Sequence, residues 1–184
     1  MLLSRRSWLR SSIGVALSAE FAAAQQHAHD AVSSKKPPAI TSLDDAAAAD
    51  VRAIAAQIVP SDDGPGAEEA GVIFFIDRAL ATFDADKKSD YRTGLAEWNA
   101  SRSKLFPDSK TIAALEAAHL QDLIRANEKT AFFELIRTHT MQGFLGSPIY
   151  GGNRNKVGWK LVGFEDRMAW EPPFGAYDAE ATKK

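Results

Sequence analysis

Between Thr41 and Gly143 the apolar residues recur at spacings of three and four, and no run alternates in the two-residue rhythm of a half-buried strand. A chain patterned in this way buries its apolar surface by packing helices on one another. The expectation is an all-α, single-domain fold of about five helices. Thr41 and Ser42 are N-cap candidates, with Asp44 and Asp45 three residues after them, and Leu43, Ala47, Val51, Ile54 and Ile58 lay one stripe along a helix over about 43–59. Pro60 and the loop Ser61-Asp62-Asp63-Gly64-Pro65-Gly66 end it. A second helix, over about 67–82, carries Val72, Ile73, Phe75, Ile76 and Leu80 around so much of its surface that it belongs at the centre. The third, about 87–105, sets Tyr91, Leu95, Trp98, Arg102 and Leu105 on one face before Pro107. Asp108 or Ser109 can cap a fourth, about 110–126, with Ile112, Leu115, Leu123 and Ile124 inward. A fifth, about 128–143, buries Phe132, Phe133, Leu135, Ile136 and Met141 before Gly143.

The flanks read differently. Residues 25–40 are polar with a Pro-Pro pair and form a flexible linker, in which His27 and His29 are solvated. From Phe144 to Lys184 the chain is rich in Gly, Pro and aromatics with little periodicity, which predicts an ordered but irregular C-terminal wrap. The helical domain is placed at 41–164, and 165–184 is an irregular tail.

Composition removes several kinds of chemistry. The 184 residues contain no cysteine, which excludes disulfides, thiol catalysis, thiolate zinc sites, cysteine-held iron–sulfur clusters and covalently attached haem. With 22 basic against 24 acidic side chains, no global field draws in nucleic acid. No stretch approaches 18 uninterrupted apolar residues, so the chain is not expected to cross a membrane by itself.

At the N-terminus, Ser4, the pair Arg5 and Arg6, then Trp8, Leu9 and Arg10 resemble the twin-arginine export signal. A short apolar run from Ile13 to Ala24, interrupted by Glu20, ends in Ala22-Ala23-Ala24, a small-x-small cleavage pattern, so residues 1–24 read as a signal peptide. That pathway moves folded proteins. It suits a partner that must acquire its cofactor in the cytoplasm.

Candidate chemical sites fall short of complete constellations. Glu116 and His119 form one Glu-x-x-His on a helix, but a di-iron bundle needs a second, so a solvated helix face is the better reading. Asp62 and Asp63 supply two side chains where calcium takes six or more oxygens. His139, in Arg137-Thr138-His139-Thr140, lies near a helix C-terminus where it can interact with the dipole and bond exposed carbonyls. Gly151-Gly152-Asn153-Arg154 matches neither the dinucleotide fingerprint nor the P-loop, and its glycines serve tight turns or close approach to another surface. No catalytic, cofactor-binding or metal residue is assigned in this chain.

Set in order, four segments resemble the gluconate 2-dehydrogenase subunit 3 family. They are Ile58-Val59-Pro60-Ser61-Asp62-Asp63 with Pro65-Gly66-Ala67 and Ala70-Gly71-Val72; Phe75-Ile76-Asp77; Arg137-Thr138-His139-Thr140 with Gly143-Phe144; and Tyr150-Gly151-Gly152-Asn153-Arg154 through Gly158-Trp159-Lys160-Leu161-Val162-Gly163-Phe164. The resemblance implies a non-catalytic, chaperone-like small subunit, without the disulfide of some relatives. Its implied large partner is an FAD-dependent dehydrogenase of the glucose-methanol-choline type that oxidises a sugar, polyol or sugar acid. A c-type cytochrome, carrying haem c, often takes the electrons onward. The small subunit supplies the export signal read by the twin-arginine machinery. The expected location is periplasmic, peripheral at the inner membrane through the partners.

Two other classes stay open at this point: a free-standing enzyme using His139, Arg137 and Asp77, which requires one pocket holding all three, and an exported binding or structural protein with an unrelated partner. The partner surface is assigned to Ser147–Phe164, with Tyr150, Trp159 and Phe164 as anchors, Gly151, Gly152, Gly158 and Gly163 allowing close approach, and Asn153, Arg154 and Lys160 at the rim. The same aromatics can also cover this chain's own helices.

Overall fold

A computed structural model describes residues 38–167, and among these every regular element is helical. The α-helices are α1 (Asp45–Ile58), α2 (Val72–Ala81), α3 (Lys88–Leu105), α4 (Ala117–Asn127), α5 (Ala131–Leu145) and α6 (Val157–Leu161). Short 3₁₀ turns lie at Ala85–Lys87, Ile112–Ala114, Pro148–Tyr150 and Arg154–Lys156. The all-α expectation holds. The C-terminal wrap is less irregular than its sequence suggests, since it contains two of those turns and α6.

Helix α2 is central, as its composition predicts: seven of its ten residues are buried. It does not begin at about 67. Gly71 takes a left-handed φ of 65° at its N-cap, and Val72 N donates to Ala67 O across the preceding turn. A break in that conformation cannot be read from apolar spacing. Around α2 pack α1, through Val51 and Ile54, and α5, through Ile136, all at 0% exposure. Tyr91 and Trp98 on α3 and Leu123 on α4 are also among the largest fully buried side chains. Two predicted inward residues face out instead: Met141 and Leu105 are exposed.

The start of α1 shows a long-range interaction displacing a local one. Neither Thr41 nor Ser42 caps it; Asp44 does, accepting from Ala47 N at 2.8 Å. The backbone N–H groups of Thr41, Ser42 and Leu43 donate instead to the Asp77 carboxylate on α2, at 2.9, 2.6 and 3.1 Å, and the Thr41 hydroxyl joins them. A similar displacement delays α4. Ala113 N donates to the buried Asp50 of α1, Thr111 caps the 3₁₀ turn, and Leu115 is extended, so the helix resumes only at Ala117. Neither Asp108 nor Ser109 caps it; the Ser109 carbonyl accepts from Arg102.

Asp77→Ala should therefore loosen the lead-in as a unit, leaving three backbone donors without their acceptor. The expected loss is about 3 kcal/mol, with Asp77→Asn intermediate. Urea unfolding measures it, and wild-type stability in Asp77→Ala would show that the lead-in is not tied through this carboxylate.

Candidate interaction surface

After α5 the chain doubles back over α2 and α5, and glycine decides how closely. A Cβ built on Gly152 would collide with Gly143 O, and one on Gly158 with Phe144 O. Gly151, at φ 104°, lies against Phe74 O, where a Cβ would stand 3.1 Å away. Close approach was the sequence expectation. The surface approached is this chain's own.

Asn153 locks the arrangement. Its backbone N donates to Gly143 O at 2.7 Å, its amide donates to Gly146 O at 2.9 Å, and its side-chain oxygen accepts from Gly158 N at 2.9 Å. Fully buried and with φ 44°, it holds a left-handed turn at the centre of the segment rather than standing at a rim. Gly152 is buried as well. Arg154 is half-buried, donates its backbone N to Ala70 O, and lays its guanidinium over the Phe74 ring at 5.4 Å, with Arg52 over the same ring at 5.5 Å.

The three aromatic anchors divide. Trp159 is half-buried and donates Nε1–H to Leu145 O at 2.6 Å, so it secures the segment to the end of α5. Phe164 packs on it at 4.9 Å and is 48% exposed; Tyr150 is 45% exposed and meets Phe83 edge-on. Lys160 is exposed. Leu161 and Val162, inside the assigned segment but not among its anchors, are exposed apolar residues, and so is Phe83, which lies outside it. Phe83 follows the end of α2, where helical periodicity gives no inward or outward assignment. Its only sequence signal was a large aromatic in a turn beside an acid.

His139, Arg137 and Asp77 do not share a pocket. Asp77 is engaged by residues 41–43, and Arg137 pairs with Glu134 on the exposed side of α5. His139 does not bond the carbonyls at its helix end. It is buried, stacked on Tyr91 at 5.6 Å, with Nδ1 2.9 Å from the Tyr91 hydroxyl and Nε2 3.4 Å from Asp84 Oδ2. Burial pushes its pKa below the ordinary histidine value, against the pull of the Asp84 carboxylate. Burial likewise raises the Tyr91 phenol well above the usual tyrosine range. In neutral imidazole, Nδ1 accepts from Tyr91 and Nε2–H points toward Asp84.

The remaining candidates are at the surface. Glu116 and His119 are exposed, His119 stacking on Phe106. Asp62 and Asp63 are exposed in a loop organised by Glu69, which accepts from Ser61 Oγ and Gly66 N; those bonds hold its carboxyl below the usual range. Among the described residues no three His, Asp or Glu converge as a metal site, and no helix is long and apolar enough to cross a membrane. The proposed export residues Arg5, Arg6, Trp8 and Leu9, the cleavage pattern, and His27 and His29 lie outside the described residues.

The geometry defines a helical protein whose glycine-rich segment is folded onto its own core and presents aromatic edges outward. The gluconate 2-dehydrogenase subunit 3 family matches residues 45–166, and the chain belongs to that family. No curated protein and no solved structure gives a significant match.

Two outcomes follow from this geometry. Gly152→Ala should cost about 3 kcal/mol, because the opposing atom is backbone, whereas Gly163→Ala meets no neighbour and should cost only about 1 kcal/mol for its left-handed φ. Equal losses in urea unfolding would contradict the docking described. For His139, a folded-state pKa below the unfolded value means the unfolded chain binds the proton first. Its contribution should be constant above about pH 6.5, and stability should fall as pH drops below it. His139→Gln, which keeps a donor and an acceptor without titrating there, should flatten that decline in unfolding midpoints; an identical slope would rule His139 out as its source.

Proposed function

We propose that this chain is the non-catalytic small subunit of a periplasmic, FAD-dependent dehydrogenase complex of the glucose-methanol-choline type. In this reading the complex oxidises a sugar, polyol or sugar acid, and the chain stabilises the flavoprotein subunit and carries it through twin-arginine export. The observation that carries the reading is membership of the subunit 3 family across the helical body, residues 45–166.

Two further observations support it. The groups offered for chemistry are engaged by the fold: Asp77 by the lead-in, His139 by Tyr91 and Asp84, Arg137 by Glu134. The glycine pair is no phosphate cradle, since Gly152 lies against Gly143 O. FAD is accordingly assigned to the large subunit, and haem c to a cytochrome that receives its electrons. The arginine pair Arg5 and Arg6, with Trp8 and Leu9, supports an export route that accepts a flavoprotein already folded around its cofactor. The complex then sits in the periplasm, peripheral at the inner membrane through its partners. Tyr150, Trp159 and Phe164 are its proposed contacts, with Gly151, Gly152, Asn153 and Arg154 shaping the segment that presents them.

Replacing Arg5 and Arg6 together by Lys should leave both this chain and the flavoprotein subunit in the cytoplasm. Cell fractionation with dehydrogenase assay measures both. Periplasmic flavoprotein activity undiminished in the double variant would refute the escort role, and a flavoprotein that never copurifies with the wild-type chain would refute the subunit assignment.

A further inference from the structure

Phe83 and Asp84, at the corner between α2 and α3, face the start of the C-terminal segment across one groove. The Phe83 ring stands 6.0 Å from Phe75 and 6.1 Å from Tyr150, and these three rings line an open groove of about 650 Å³. Phe83 is 54% exposed. Asp84 lines the same groove with its side chain 31% exposed, one carboxylate oxygen facing His139 Nε2. The neighbouring Lys87 makes its ion pair with Asp86, and Asp84 acts on it only at longer range. Gln142 and Ser147 add an amide and a hydroxyl, uncharged groups that can each accept or donate a hydrogen bond.

This combination narrows the occupant. An aliphatic side chain would cover the rings but strip water from the Asp84 carboxylate without replacing it. An anion would meet that carboxylate directly. A cation with apolar faces satisfies both surfaces: it stacks on the rings and donates in its plane to the acceptors. Among side chains that is the guanidinium, which is planar and weakly hydrated, whereas a lysine ammonium is compact and strongly hydrated. We propose that the Phe83–Asp84–Tyr150 groove is the docking site for an arginine side chain presented by the partner dehydrogenase subunit. The proposal rests on the functional reading above and deepens it by naming the contact chemistry.

The test uses the complex formed by co-expressing this chain with the flavoprotein subunit, with affinity measured for wild type, Asp84→Asn, Phe83→Ala and Tyr150→Ala. Each variant should bind about tenfold more weakly, as expected for loss of a charge partner or an aromatic anchor. Tyr150→Ala, at an exposed position, should keep the wild-type urea midpoint, which separates lost contact from lost fold. Free arginine should dissociate the wild-type complex more effectively than lysine or sodium chloride at equal ionic strength. Unchanged affinity in Tyr150→Ala and Asp84→Asn, or equal competition by arginine and lysine, would overturn the proposal while leaving the subunit assignment standing. Self-association of the isolated chain weakened by the same variants would place a second copy in the groove and also overturn it. If wild type binds no flavoprotein at all, the functional reading falls, and the docking site with it.

Discussion

Three segments of this protein cross at Gly143, and the rest of the structure depends on how near they come. The Phe75 side chain of α2 lies where a Cβ on Gly143 would stand at 3.1 Å, so the missing side chain lets α2 and α5 approach. The carbonyl of the same residue accepts from Asn153 N and leaves room only for a glycine at 152. Interiors pack at crystal-like density, so one methyl group at this crossing must displace a helix, a ring or the returning chain.

Polar groups buried in this body act as ties between distant stretches of chain. Asp77 joins residues 41–43 to α2, and Asp50 joins α1 to Asn99 of α3 and to Ala113. Asn153 binds the end of α5 to the start of α6, while His139 joins α5 to Tyr91 of α3. Asp77, Asp50 and His139 are satisfied by partners more than thirty residues away, and Asn153 by neighbours five to ten residues away on either side of its turn. A buried donor or acceptor left unpaired costs roughly 1–3 kcal/mol, so such ties discriminate against alternative packings more strongly than they add net stability.

The helical stripes were legible because burial on one face is written in local spacing: Tyr91, Leu95, Trp98 and Arg102 occupy the buried face that their spacing predicts. What failed were positions where a distant group competes with a local rule. Thr41 and Ser42 have the chemistry of caps, but Asp77, more than thirty residues on, holds their backbone donors. His139 has the position of a residue that bonds helix-end carbonyls, but Tyr91 and Asp84 lie within reach only after folding. Gly143 looked like a stop, yet the helix continues to Leu145 because this glycine serves a contact rather than a turn. The glycines of 151–158 announced close approach without naming the surface approached. A pattern in one stretch cannot specify its partner in another.

That distinction also sorts the C-terminal segment. Asn153 and Gly152 are committed inward, and Trp159 has its indole N–H held by Leu145 O, so substituting them perturbs fold and surface together. Tyr150 and Phe164 carry their rings outward from backbone already fixed by those inward contacts. Ordering an aromatic before binding lowers the entropy lost on association, and aromatics so placed are the usual centres of binding energy. The glycine-rich segment is therefore divided by residue: its glycines and the Asn153 amide hold it to α5, and the rings of Tyr150 and Phe164 are left at the surface.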